Sequence, residues 1–347
     1  MIYFQSDYTE GACEEIIRRL TQTNMEQTTG YGEDAYCRHA ASMIKEACGN
    51  EELHVHFLVG GTQTNTTVIT AALRGYQGVL CADTGHINVH ETGAIEACGH
   101  KVLALPSVDG KITARQIQEA HEAHVTNESF EHMVQPGMVY ISHPTEFGTL
   151  YTKEELQAIS NTCRECGLYL FLDGARLGYG LAAGDTDVTL ADIAALTDVF
   201  YIGGTKVGAL FGEAVVIRNE ELNRDFRYYM KQKGGMLAKG RLLGLQFETL
   251  FTDDLYFKLS KHADDLADKL RAGVKACGLT LFAPGRTNQV FVTIPNEILI
   301  QLSEKFTFSH ERPVGDDAYV VRFCTSFATK EENVEELIQE LHRLTKK

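Results

Sequence analysis

From about residue 54 the chain alternates short apolar runs with helical stretches, and this narrows its fold more than any other feature. "HVHFLV" precedes "GGTQTNTTVITAALRG", "GVLCAD" precedes "HETGAIEACG", and "KVLALP" precedes "TARQIQEAHEAH". "MVYISHP", the helical "KEELQAISNTCRECG", "LYLFLD", "DVFYIGG" and "EAVVIR" continue the series. Apolar strands separated by helices predict a mostly parallel sheet covered on both faces. Such sheets bind ligands in the crevice outside the carboxyl ends of their strands. Functional residues are therefore expected just past strand ends.

After "EAVVIR" the pattern changes. Residues 219 to about 276 read as long helices bridging two domains. Beyond them "LTLFA", "QVFVTIP", "FTFSH" and "AYVVRFCTS" predict a smaller C-terminal α+β domain. A chain of 347 residues is long for a single core. The expected division is an N-terminal arm with a large α/β domain over 1–245, and the small domain over 246–347.

A net charge of -15 argues against a nucleic-acid or membrane-surface partner, which would need clustered Lys and Arg. The N-terminal "MIYFQSDYTEG" lacks the basic and apolar regions of a signal peptide. No run reaches the ~18 apolar residues of a membrane helix. Nine cysteines without regular framing read as reduced thiols, so a cytoplasmic location is expected. Cys163 and Cys166 have no second pair nearby and read as neighbours on one helix face; no metal is expected.

Four strand ends carry chemistry. "FLVGGTQTN" places Gly60, Gly61 and Thr62 at a strand-to-helix junction, where free helix amides favour an anion such as phosphate. "LCADTGHINVHE" places His86 after a strand; its imidazole could stack over a flat ring. "LFLDGAR" ends a strand on Asp173, followed by Arg176. "YIGGTKVGALFG" sets Lys206 among four glycines. Lysine is seldom fully buried without a partner, and these glycines are expected to clear room for a ligand that Lys206 touches. Taken singly, each has a plainer explanation in turn chemistry or surface exposure. Together they describe pyridoxal 5'-phosphate: a lysine for its aldehyde, a carboxylate for its ring nitrogen and amides for its phosphate.

The order "FQSDYT", "GYGEDAY", "FLVGGTQTN", "TGHINVHETG", "FLDGARLGYGL", "YIGGTKVGALFG", "KGGM" and "VRFCTSF" resembles the low-specificity threonine aldolases. These belong to the β-eliminating-lyase branch of fold-type-I pyridoxal-phosphate enzymes. The resemblance implies that Lys206 binds the cofactor aldehyde as a Schiff base and that Asp173 pairs with the pyridine nitrogen. Arg176 would bond the phenolic oxygen or the substrate carboxylate. His86 would stack on the ring, and Gly61, Thr62 and Thr205 would bind phosphate. Ser6 and Arg322 would take the substrate α-carboxylate. Tyr31 would line the site from a neighbouring subunit of a homodimer or homotetramer. His132 falls where the family has a second active-site histidine; His86, His132 or a water held by them would act as base.

Two departures bear on the substrate. "SHPTEFG", residues 142 to 148, replaces a Glu-Asn-Thr-His run, and Leu237 replaces an arginine, leaving Lys231, Lys233 or Arg241 as alternative phosphate contacts. The expected reaction is retro-aldol Cα–Cβ cleavage of L-threonine or L-allo-threonine to glycine and an aldehyde. An aldolase for aromatic β-hydroxy amino acids, or a β-eliminating lyase, would share every cofactor residue. A non-catalytic pyridoxal-phosphate-binding protein would lack Ser6 and Arg322. A plain α/β protein would be colourless.

Overall fold

The computed structural model describes residues 1–346. The large sheet contains strands β1 (His54–Leu58), β2 (Gln77–Ala82), β3 (Lys101–Leu105), β4 (Gln135–Ser142), β5 (Tyr169–Asp173), β6 (Val199–Gly203) and β7 (Glu213–Ile217). They lie side by side in the order β1-β7-β6-β5-β4-β2-β3. The central strands are buried throughout, β6 at all of its residues, which is why they read as unbroken apolar runs. Fold class and parallel character are as expected, with one correction. β7, the "EAVVIR" strand, runs antiparallel to both β1 and β6. A strand covered on both faces shows no alternation that could reveal its direction.

Sheet order also fixes the position of the crevice. From β2 the chain moves outward to β3 and then back across β2 to β4. Carboxyl ends on either side of such a reversal are left uncovered by their connections. The segments that follow β2, β4, β5 and β6 all open on this edge. Helix α1 (Gly61–Ala72) follows β1 there, and the single turn α2 (His86–Val89) follows β2.

Beyond the sheet, α3 (Arg241–Phe251) and the long α4 (Leu255–Ala276) cross to the second unit. That unit is built on β8 (Gln289–Pro295), β9 (Ser309–Val314) and β10 (Ala318–Cys324), an antiparallel sheet that also includes Thr280–Leu281. The 245/246 division falls inside α3. Leu243, Phe247 and Leu250 of that helix all pack into the large-domain core, as do Tyr256 and Ala263 of α4. The second core begins at Leu266, so α4 is shared and the first half of the bridge belongs to the large domain. Phe4 from the N-terminal arm is fully buried in the second core, and Ile2–Tyr3 pairs with Phe306–Thr307. The arm thus crosses to the small domain before it returns to the large one.

Candidate active site

At the carboxyl edge lies a cavity of about 310 Å³ whose lining includes Gly61, Thr62, His86, Asp173, Arg176, Thr205 and Lys206. A chamber of about 550 Å³ adjoins it and contains Arg322. Tyr8, His86, Glu146, Arg176 and Lys206 line both, so they form the wall where the two spaces meet. Groups more than two hundred residues apart in sequence converge because most follow the carboxyl ends of large-sheet strands, while Arg322 reaches the same place from within β10.

Asp173 is the most completely satisfied group in the site. Oδ2 accepts from the Tyr140 hydroxyl (2.5 Å) and Asn65 Nδ2 (3.2 Å), and Oδ1 from the Tyr201 hydroxyl (2.5 Å) and the Ala175 amide (3.0 Å). Four donors around a buried carboxylate make a fixed anionic post. Asn65 also donates to Glu91 Oε1 (2.7 Å), which lies 2.8 Å from His86 Nδ1. One hydrogen-bonded chain therefore sets both the carboxylate and the imidazole. None of the four supporting residues stood out in the sequence. The signal was there for two of them: Tyr140 and Tyr201 put hydroxyls into doubly covered strands, where a buried O–H needs a partner.

Lys206 differs from Asp173 in having no fixed partner. Its amine makes no hydrogen bond or ion pair with any other described residue, though Asp7, Asp173 and Glu213 attract it at longer range. Burial and the charge of Arg176 hold the amine below its ordinary 10.5, favouring the uncharged, nucleophilic form. Glu213, beside it in the cavity wall, accepts from Thr205 Oγ1 (3.0 Å) and the Gly204 amide (3.1 Å). Burial pushes its carboxyl up to about 8 despite the pull of Lys206.

The glycines around Lys206 act differently from the expectation. A Cβ on Gly203 would lie 2.2 Å from the Ala175 carbonyl oxygen, and one on Gly204 would lie 2.9 Å from that of Gly212. They let backbone pack on backbone and seat the lysine loop; they do not clear the cavity. Open space belongs to Gly60, where a Cβ would meet nothing within 4 Å. Gly60 caps the N-terminus of α1, so an anion could approach the free amides of that helix there.

Arg176 is held rather than free. Its Nε and Nη2 donate to the two carboxylate oxygens of Asp7 at 2.7 and 3.0 Å, and Asn288 donates to the same carboxylate at 2.8 Å. Burial disfavours both charges, but each holds the other: the Asp7 carboxyl stays below its usual value and the Arg176 guanidinium above. Arg322, in the second chamber, donates through Nη1 to Gln289 (3.1 Å) and through Nη2 to Ser309 (3.1 Å). Glu311 stands 3.4 Å from its Nε.

Three of the expected residues are not brought to this cavity. Ser6 lies on the arm but lines neither space, whereas its neighbour Tyr8 lines both. Tyr31 lines a separate depression with Arg227 and Met236, under the Lys231 ammonium at 4.9 Å from its ring centre. His132 sits exposed in the turn Phe130–His132, before the amino end of β4. The eight residues of β4 span roughly 26 Å and carry it to the wrong edge of the sheet. The alternative phosphate cations are engaged elsewhere too: Lys233 with Cys98 Sγ (3.0 Å) and Arg241 with the Thr23 carbonyl (2.7 Å). Thr205, in the cavity, already gives its hydroxyl to Glu213. Cys163 and Cys166 are free thiols, and no group of side chains suited to a metal ion occurs among the described residues.

The residues present suit pyridoxal phosphate: an unpaired amine, a buried carboxylate fixed by four donors, a half-buried imidazole and an open helix N-terminus facing one cavity. Comparison with known proteins points the same way. Residues 4–297 match the beta-eliminating lyase family. A low-specificity L-threonine aldolase of Pseudomonas sp. is 32% identical over 97% of this chain and 96% of its own length. The structure of a Leishmania major threonine aldolase superposes with a TM-score of 0.97 at 46% identity, covering 99% of this chain and 100% of that one. An aspartate aminotransferase of Thermus thermophilus shares the fold, with a TM-score of 0.71 at 15% identity over 99% of this chain and 91% of its own.

Proposed function

The chain belongs to the beta-eliminating lyase family, and on that premise we propose that it is a pyridoxal-phosphate-dependent aldolase. It cleaves L-threonine and L-allo-threonine between Cα and Cβ, giving glycine and acetaldehyde. The observation that carries the proposal is the partly buried, unpartnered Lys206 in one cavity with Asp173 and the open N-terminus of α1. Bound there, pyridoxal phosphate supplies an aldehyde for amines and a conjugated ring that accepts the electrons of a breaking Cα bond.

The remaining work belongs to side chains of this protein. Lys206 would hold the cofactor through its aldehyde, and the uncharged form of its amine suits it to that role. Asp173, held by Tyr140, Tyr201, Asn65 and the Ala175 amide, keeps a proton on the ring nitrogen. His86, its orientation fixed by Glu91, would lie against the ring. Gly60, Gly61 and Thr62 receive phosphate at the N-terminus of α1. Arg322 binds the substrate carboxylate and so selects which Cα bond is aligned for cleavage, and Tyr8 of the arm lines the same space.

The test is acetaldehyde release from L-threonine by wild-type protein supplied with cofactor, beside Lys206→Ala. Release by the wild type alone is expected; near-normal release by the variant would overturn the role of Lys206. One observation also favours larger substrates. Phe147, Phe282 and Phe291 line the second chamber, with the ring centres of Phe282 and Phe291 at 6.1 and 5.8 Å from that of Phe147. An aromatic β-hydroxy amino acid fills such a space better than the methyl group of threonine. The expected outcome is a higher kcat/KM for phenylserine than for threonine.

A further inference from the structure

Retro-aldol cleavage requires a base for the β-hydroxyl proton, and the cavity offers one that the sequence comparison did not single out. Glu146 lies in "SHPTEFG", the stretch where the chain departs from the typical family pattern. It follows β4, on the wall shared by the cofactor cavity and the Arg322 chamber. Its Oε1 is fixed, accepting from Ser142 Oγ at 2.6 Å and from the His86 amide at 3.0 Å. Its Oε2 is withdrawn from solvent and has no hydrogen-bond partner. Gln289 joins this residue to the substrate arginine, accepting from Arg322 Nη1 (3.1 Å) and donating to the Glu146 carbonyl (3.5 Å).

A carboxylate oxygen buried without a donor is costly to maintain. A proton on that oxygen, or a ligand hydroxyl pointing at it, removes the cost. A β-hydroxy amino acid provides both in turn. Burial raises the Glu146 carboxyl above its ordinary value, against the opposing hydrogen bonds from Ser142 and the His86 amide, and a stronger base accepts a hydroxyl proton more readily. Of the two expected histidines, His132 is at the far edge of the sheet and His86 already engages Glu91 through Nδ1.

We propose that Glu146 is the catalytic base: its carboxyl turns on the shared wall so that Oε2 meets the substrate and takes the β-hydroxyl proton as the Cα–Cβ bond breaks. Formation of the O–H bond on Glu146 accompanies formation of the aldehyde C=O. The electron pair of the Cα–Cβ bond stays with the glycine carbon, and Glu146 then releases the proton to solvent. This rests on the aldolase assignment, and the experiment separates the two.

The holoenzyme of Glu146→Gln keeps the oxygen that receives the Ser142 and His86 donors but cannot accept a proton. Cofactor absorbance and affinity, thermal midpoint and glycine affinity are expected to match wild type. So is exchange of the glycine α-proton with solvent, which needs no β-hydroxyl base. For L-threonine kcat should fall by about 10²–10⁴-fold with KM within about threefold. A kcat within about threefold of wild type, or an equal loss of glycine exchange, would overturn the proposal. Should this variant not fold, Glu146→Ala with added formate decides: dose-dependent recovery of kcat supports the role, and no recovery in cofactor-loaded protein removes it. Wild-type protein that exchanges glycine protons but releases no acetaldehyde would instead defeat the aldolase assignment.

Discussion

Asp7 joins three parts of the chain through one carboxylate: the arm that carries it, Arg176 after β5 and Asn288 before β8. Removing one partner of a buried, hydrogen-bonded ion pair leaves an uncompensated charge, at a cost of about 3–5 kcal/mol. Asp7→Ala should lose stability of that order in denaturant titration, and cofactor affinity with it, since freed Arg176 adds positive charge beside Lys206. His143 gives a pH dependence. It is fully buried, its Nδ1 accepts from the Tyr151 amide at 3.4 Å, and burial lowers it from 6.5 to about 4. The unfolded chain therefore takes up this proton at a higher pH than the folded one. The stability from a neutral His143 is complete above pH 6.5 and is lost as pH falls toward 4, by up to roughly 3 kcal/mol. In denaturant titrations across that range, His143→Gln should show a shallower loss than wild type. At this scale Lys206, Asp173 and His86 were legible because each ends or follows a recognisable strand, and Arg322 through the family motif around it. Asp7, Glu91 and Glu146 were not, because a carboxylate in a loop looks the same whether solvated or buried.

Among the elements, β6 and the loop after it show how closely packed backbone positions a reactive side chain. Gly203 is the last residue of β6, and its amide donates to the Gly174 carbonyl at 2.9 Å. A methyl group there would meet the Ala175 backbone at 2.2 Å, and backbone cannot swing aside as a side chain can. Gly203→Ala should cost on the order of 3 kcal/mol and displace Lys206, lowering the thermal midpoint and the cofactor affinity together. A variant with both unchanged would show that the loop tolerates the shift. The existence of these strands was legible from their apolar runs. The reversed direction of β7 was not, since strand pairing is a relation between segments distant in sequence.

At the scale of the molecule, the arm crosses to the small domain through Phe4 and back to the large one through Asp7, so the units cannot part without breaking a buried ion pair. Within the chain Tyr31 is half-exposed and stands in the left-handed region at φ 61°, a strained backbone for a tyrosine. Strain of this kind collects at functional positions. We propose that Tyr31 and the nearby Lys231 complete the site of a second copy, where they would add a cation that the phosphate end lacks in one chain. Mixing Tyr31→Ala with Lys206→Ala protein should then restore up to about one quarter of wild-type turnover in a dimer assembled at random. Two variants that remain inactive when mixed, while chromatography shows that they have exchanged subunits, would show that Tyr31 does not complete the site of a second copy.

The sequence by itself determined the layered α/β class and the placement of a lysine, an aspartate, an imidazole and a helix N-terminus at strand ends, because burial and helix periodicity are written along the chain. Sequence order could not say that Arg176 is clamped by Asp7, that His132 stands at the opposite edge of the sheet, or that the glycines beside Lys206 face backbone. Nor could it reveal an unpaired Glu146 oxygen on the wall between two chambers. These are consequences of which strands lie side by side. Hydrogen bonding and desolvation act over a few ångströms of space, whatever the separation along the chain.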